Sequence, residues 1–427
     1  MVVTPLDVLP AAEKHLPLRK MLSVGLGNAL EFYDFIAFAF FATQIARTFF
    51  PASQTSRGLL FTLAFFALGF FTRPLGAIVI GYYGDSVGRK PAMLLSLALM
   101  GISVVGLAIT PSYAQIGIAA PILLLLFRVL QGFALGGEVG PSTAFLIEAA
   151  PPHRRGLYAS IQQASQGAAI LAAGVVTFVL TSLLTAESLQ AWGWRVAFLL
   201  GATIVPVGVY IRSHLPETLE QSDSVTVFAT TPLESWRVAL LGLLILGSMT
   251  ISTYTLGYMN TFAQASLNLT PELAFGAILI NGLTFALAAP LAGMLCDRFG
   301  RKPVMLCAVG ALLVLVIPCF RILVEMRSAA SLYIVTALLS IGVQIAAVAV
   351  LTAITETLPR SVRSLGLATM YALAIAIFGG SAQFMISLLV EATGSSLAPG
   401  FYMTGALVVG GLAILAFRTA PRPKHAE

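Results

Sequence analysis

The sequence has 427 residues, of which 58% are hydrophobic and 10% charged, with a formal net charge of +6. Soluble globular domains carry about 25% charged residues, so the composition excludes a water-soluble multidomain enzyme, a disordered chain and a coiled coil. What remains is an integral membrane protein.

The first 20 residues are polar, with Lys14, Arg19 and Lys20 and no signal-peptide pattern. A membrane-crossing helix needs about 20 mostly apolar residues. Twelve such spans follow in chain order: 22–48, 59–83, 91–110, 119–147, 157–184, 194–211, 237–263, 273–295, 303–324, 331–357, 364–390 and 399–417. The predicted fold class is an all-α membrane protein. Its longest polar connection separates an N-terminal half, 1–211, from a C-terminal half, 237–427, by a central cytoplasmic loop, 212–236. Cys296, Cys307 and Cys319 lack metal-ligand spacing and read as small core hydrophobes.

Lys and Arg in short loops set orientation. With the N-terminus in the cytoplasm, that side holds 17 of 24 basic residues, and the outer side has five: Arg47, Arg57, Arg195, Arg321 and Arg327. Both termini are expected inside, and the positive charge serves topology rather than nucleic acid.

The loop after span two reads Gly81-Tyr-Tyr-Gly-Asp85-Ser-Val-Gly88-Arg89-Lys90-Pro91, and the loop after span eight Gly293-Met-Leu-Cys-Asp297-Arg-Phe-Gly300-Arg301-Lys302-Pro303. Asp85 and Asp297 stand 212 residues apart, close to half the chain. A second pair, Glu148-x-x-Pro151-x-x-x-Arg155 and Glu356-x-x-Pro359-x-x-x-Arg363, repeats at 208. Two parallel six-span repeats form a transporter plan, with substrate between the halves near mid-membrane. Asp85 with Arg89, and Asp297 with Arg301, are candidate gating pairs that hold one face closed. The alternative is that the basic residues act only as topology anchors.

These doubled motifs resemble those of the major facilitator superfamily, along the whole chain. Gly27-Asn28-Ala-Leu-Glu31-Phe-Tyr-Asp34-Phe35, Arg73-Pro74-Leu-Gly76 and Arg128-x-x-Gln131-Gly132-x-x-x-Gly136-Gly137-Glu138 resemble its metabolite:proton symporter branch. Ala42-Thr-Gln-Ile-Ala-Arg47-Thr-Phe-Phe-Pro51, Gln163-Ala-Ser165-Gln166 and Ala376-Ile-Phe-Gly379-Gly380 are similar to its citrate and tricarballylate transporters. The resemblance implies a proton symporter of a bacterial inner membrane. One departure is Ser86, where the family usually has a basic residue and the second repeat has Arg298. A weaker first gating cluster is expected from it.

An ionisable side chain at mid-bilayer costs about 2.5–3.5 kcal/mol on insertion scales and normally faces a cavity or a partner. Five qualify: Glu31, Asp34, Arg73, Arg128 and Glu138. At about 1.5 Å per residue, Arg73 lies roughly 18 Å from the Asp85 edge and Asp34 roughly 21 Å beyond Lys20. Glu31 and Asp34 share a helix face, and two carboxylates in a poorly hydrated site do not both ionise easily. Glu31, Asp34 and Glu138 are therefore the candidate proton carriers. Internal ion pairs with Arg73 or Arg128 are the alternative role.

Two forked guanidinium groups suit an anion with several carboxylates, which makes Arg73 and Arg128 candidate substrate ligands. Gln162 and Gln166 on span five, Asn281 on span eight and Tyr371 on span eleven are candidate hydrogen-bond donors. Gly132, Gly136 and Gly140 read as a packing ridge.

His15, His153, His214 and His425 all fall in loops or tails, and the chain has neither P-loop nor Gly-x-Ser-x-Gly elbow. The reading is a transporter, not an enzyme, needing no cofactor and driven by an ion gradient. The coupling ion is the proton, with sodium the second candidate. A trianion entering a negative cell needs about three cations for electroneutrality, since each charge crossing 100 mV is worth about 2.3 kcal/mol. Competing readings are an importer of a dicarboxylate, aromatic acid or zwitterionic osmolyte, and a drug/proton antiporter. The partners expected are a small polycarboxylate and the lipid bilayer, and a monomer suffices.

Overall fold

In hydrocarbon every backbone polar group must find its partner within its own segment, so long apolar runs fold as helices. The computed structural model describes residues 18–51, 55–219 and 232–419, and helices account for nearly all of them. In chain order, α1 is Leu18–Phe40 with a second piece, Ala42–Phe49; α2 is Thr55–Ser86; α3 is Arg89–Ile109; α4 is Ala119–Glu148; α5 is Arg155–Leu183. The helix α6 comes in three pieces, Leu189–Gly193, Trp194–Ala202 and Ile204–Ser213. Then α7 is Pro232–Gly257 continued by Met259–Ala265, α8 is Pro271–Phe299, α9 is Arg301–Met326 and α10 is Ala329–Thr357. Helix α11 joins Arg363–Ala374, a π-helical turn Ile375–Gly379, and Gly380–Thr393; α12 is Ala398–Ala416. Each predicted span falls on one of these helices. Part of the predicted central loop, 220–231, lies outside the described residues.

Large apolar side chains such as Phe71, Ile102, Val314 and Leu412 are exposed on the bundle's outside, where lipid replaces water. Cys296 and Cys319 are buried, but Cys307 is exposed, so the reading of all three as core residues is corrected for Cys307. It sits on α9, where Val304, Ala308 and Val309 are buried in its place.

Small residues let these helices approach closely. A β-carbon on Gly132 would overlap the Gly69 carbonyl, one on Gly136 the Arg73 backbone, and one on Gly140 the Ser364 carbonyl. The glycine ridge of α4 therefore packs α2 along one stretch and reaches α11 at its end. Two long seams join the first six helices to the last six: α5 against α8 and α2 against α11. Gly156 meets Gly293 and Gly167 meets Phe285 and Ala286 along the first seam, while Gly81 meets Leu365 along the second.

The repeated motif loops have matched backbones. Gly88 has φ +145° and Gly300 has φ +93°, values that L side chains rarely adopt. Glycine at these two positions lets the chain turn from α2 into α3, and from α8 into α9, within a few residues.

Candidate transport site

Three helices break beside one internal space: α1 is interrupted at Phe41, α7 at Tyr258, and α11 contains the π-helical turn Ile375–Gly379. Such turns loosen the regular ladder and often occur at functional sites. The space is a cavity of about 510 Å³, walled by α1, α2, α5, α7, α8, α10 and α11. Its lining is mostly apolar, with polar groups from Arg73, Gln163, Gln166, Thr250, Thr253, Tyr254, Asn281, Tyr371 and Gln383.

Arg73 is buried in this wall, with its Cζ 4.7 Å from the Phe70 ring centroid. It is also a hydrogen-bond partner of the Tyr254 hydroxyl. The tight Gly136 crossing fixes the Arg73 backbone, so α4 aims this guanidinium by packing rather than by contact with its tip. Across the cavity the Gln166 Nε2 donates to the Tyr371 hydroxyl at 3.2 Å, joining α5 to α11. Asn281 accepts from the Ser340 hydroxyl at 2.8 Å, which leaves its amide NH2 group for other acceptors.

Arg128 occupies a layer behind the wall. Its Cζ stacks 3.9 Å from the centroid of Phe38, a cavity-lining ring. It donates to Gln131, and the Gln131 amide in turn donates to Asp34. Asp34, Gln131 and Arg128 are all buried, forming a chain from α1 to α4 alongside the cavity. The Arg128 charge acts on both Asp34 and Arg73.

Three sequence expectations need correction in this structure. Arg128 is not in the cavity wall, because Phe38 stands between. Gln162 faces α1 and α4, donating to Asn28 at 2.8 Å and accepting from Ser142 at 3.2 Å. The cavity is reached instead by the face of α5 that carries Gln163, Gln166 and Ile170. Glu138 is buried against α3, accepting from the Ser96 hydroxyl at 2.5 Å, remote from the cavity lining. Glu31 falls on α1, but its side chain lies outside the described residues. The lining also includes Gln163, Tyr254 and Gln383, which are not among the candidate ligands read from the sequence. For Tyr254 and Gln383 the sequence signal is polarity within an apolar run.

At one end of the bundle, both motif aspartates reach across the seams. Asp85 accepts from the Ser364 and Leu365 amides of α11 at 3.0 and 2.8 Å, and pairs with Arg89. Asp297 accepts from the Gly156 and Leu157 amides of α5 at 2.8 and 2.9 Å, and pairs with Arg301 at 3.2 Å. The first amides of a helix lack intrahelical partners and carry partial positive charge, so each aspartate caps a helix of the opposite half. Arg89 also holds Glu148 at 3.1 Å, and Glu148 holds Arg363 of α11 at 3.0 Å. Arg301 holds Glu356 at 2.9 Å. Ser86 bonds only to its own helix, at the Tyr82 carbonyl. The first cluster also carries a cross-seam tie in the Glu148–Arg363 pair.

Comparison with known proteins agrees with this architecture. Residues 20–226 match the family model described as "Sugar (and other) transporter", and residues 241–427 match "Major Facilitator Superfamily". A citrate-proton symporter of Klebsiella pneumoniae is 37% identical over 400 residues, 92% of this chain and 90% of that one. The chain belongs to the major facilitator superfamily. Within it, the alpha-ketoglutarate permease of Escherichia coli is 34% identical, covering 97% of this chain and 96% of that one. A proton:xylose symporter structure superposes with a TM-score of 0.72 at 18% identity, covering 93% of this chain and 94% of that chain. That likeness carries the twelve-helix, two-half fold. These relatives are transporters, and membership makes this chain a transporter rather than an enzyme.

Proposed function

We propose that this protein takes up citrate or a similar tricarboxylate, such as tricarballylate, together with protons. The observation that carries the reading is the placement of Arg73 in the cavity wall beside the buried Asp34–Gln131–Arg128 chain. Arg73 engages a carboxylate of the cargo, and Tyr254, Gln166, Tyr371 and Asn281 hold its remaining oxygens. Asp34 is the coupling acid. Its proton state decides how strongly it holds Gln131 and Arg128, and so the charge presented behind Phe38. The printed functions of the two bacterial relatives, citrate–proton symport and alpha-ketoglutarate permeation, support a carboxylate cargo. A dicarboxylate is the second reading, favoured because Arg73 alone supplies a guanidinium to the described lining.

The excess of basic residues supports a bacterial inner-membrane protein with both termini in the cytoplasm, divided into 1–211, 212–236 and 237–427. On this reading the Asp85 and Asp297 clusters close the cytoplasmic face, and they part when the halves rock. The cavity lining follows α1, α7 and α11 away from that face, up to Ala42, Gly257 and Gln383, and so serves loading from outside. A monomer contains every group this cycle needs, and sodium remains a second candidate for coupling.

Uptake of labelled citrate, tricarballylate and 2-oxoglutarate into proteoliposomes, under imposed pH or sodium gradients, tests the reading. Accumulation of a tricarboxylate driven by a pH gradient, and lost in Arg73→Ala, is the expected result. Equal uptake by Arg73→Ala overturns the site.

A further inference from the structure

A second cavity is distinct from the transport site: the central lining ends on α1 at Ala42, and this one begins at Arg47 on the same helix piece. It is an open cleft of about 800 Å³ formed by the end of α1, the connection between α3 and α4, and the start of α6. Helix α3 begins at the Asp85 cluster, so its far end, where this cleft lies, is on the opposite face. The lining contains two guanidinium groups, Arg47 and Arg195, and no carboxylate. Hydrogen-bonding groups from Thr48, Tyr113, Gln115 and Gln190 complete it.

The two cations are held differently. Arg195 is fixed: its Nη1 donates to the Ala108 carbonyl at 2.6 Å and its Cζ lies 4.5 Å from the Trp194 ring centroid. Gln190 is also fixed, donating to the Gln44 carbonyl at 3.0 Å and to the Thr48 hydroxyl at 3.1 Å. Arg47, on the last turn of the second piece of α1, is exposed. A rigid cation facing an adaptable one across a polar cleft is a receptor for an anion with more than one charged oxygen group. Arg forks pair well with carboxylates.

We infer that this cleft is an outer anion-binding site that captures the polycarboxylate cargo before it enters the central cavity. The anion's identity, and the outer placement of this face, rest on the function proposed above. A cleft lined by one sign of charge raises the local concentration of its counter-ion and its on-rate by about 10–1,000-fold, and salt removes the effect. The same chemistry would hold a lipid phosphate, so the test must separate the two sources.

The experiment has two arms in the full-length protein. In the first, citrate uptake by wild type and Arg47→Gln is compared in proteoliposomes at low and high ionic strength. Arg47→Gln should raise KM about fivefold at low salt and leave Vmax unchanged, with the difference disappearing within the short Debye length of about 1 M salt. In the second, citrate binding is measured with Arg73→Ala, which removes the central site. A residual saturable site, lost in Arg73→Ala combined with Arg47→Gln, supports the inference. No residual site overturns it, as does a KM shift independent of salt. Residual binding abolished by phosphatidylglycerol, with citrate unable to displace that lipid, assigns the cleft to lipid and also overturns it. Arg195→Gln is the second variant, and the exposed Arg47 separates a binding loss from any folding defect at the Ala108 contact. Full transport by Arg73→Ala would refute the central site while leaving the Arg47 salt effect to be read independently.

Discussion

The Asp85 carboxylate on α2 accepts a hydrogen bond from the Leu365 amide on α11 at 2.8 Å, across 280 residues of chain. A side chain of one half thus terminates a helix of the other, and Asp297 repeats the arrangement on α5. On the proposed rocking cycle the contact is lost when the halves part and the helix ends face water, so its free energy would belong to the closed state.

Asp85→Ala should therefore favour the state open on that face. Loss of a helix cap costs about 1 kcal/mol, a shift of roughly fivefold in a two-state equilibrium. Alkylation of a cysteine introduced near Gly140, in a cysteine-free background, should accelerate by about that factor. An unchanged rate, with normal expression, would remove the gating role.

Asp34→Asn should separate coupling from binding. Without an ionisable acid, pH-driven accumulation should fall at least about tenfold, equivalent to about 1.4 kcal/mol. Exchange of internal for external citrate, which needs no net proton movement, should continue. Loss of both activities would instead make Asp34 a structural group.

The number of coupled cations is open to electrical measurement. A trianion carried with three protons moves no net charge, so citrate-induced current should be near zero from 0 to −100 mV. Each uncompensated charge would contribute about 2.3 kcal/mol per 100 mV and appear as a voltage-dependent current.

Gly136 should tolerate no side chain. A β-carbon there would overlap the Arg73 backbone, so Gly136→Ala must push α2 and α4 apart, at about 1–3 kcal/mol for overpacking. Gly310 on α9 has no neighbour where a β-carbon would stand, and Gly310→Ala is the control. Thermal unfolding in detergent should drop for the first and hold for the second. Equal behaviour would contradict the close crossing.

The motif aspartates and their Arg89 and Arg301 partners were legible in the repeat, but the helix ends they cap were not. Sequence proximity pointed to Arg89 and Arg301, while the amides of Leu365 and Leu157 are ordinary backbone that no motif marks. Arg73 and Arg128 looked equivalent as buried cations. Only the position of Phe38 separates them, placing one in the cavity wall and the other behind a ring. Gln162 and Gln166 are one turn apart on α5, but the first is bonded to Asn28 and Ser142 and the second to Tyr371 at the cavity.

The chain by itself determined the membrane, the twelve crossings, the doubled plan and the few charges buried in oil. These follow from local quantities: apolar length, the period of a helix and the free energy of burying an ion. Which charges meet cargo, which meet one another and which helices each aspartate caps were decided by tertiary structure alone. Those choices depend on where glycine-lined seams bring helices together and where they part, a property of pairs of surfaces rather than of any one segment.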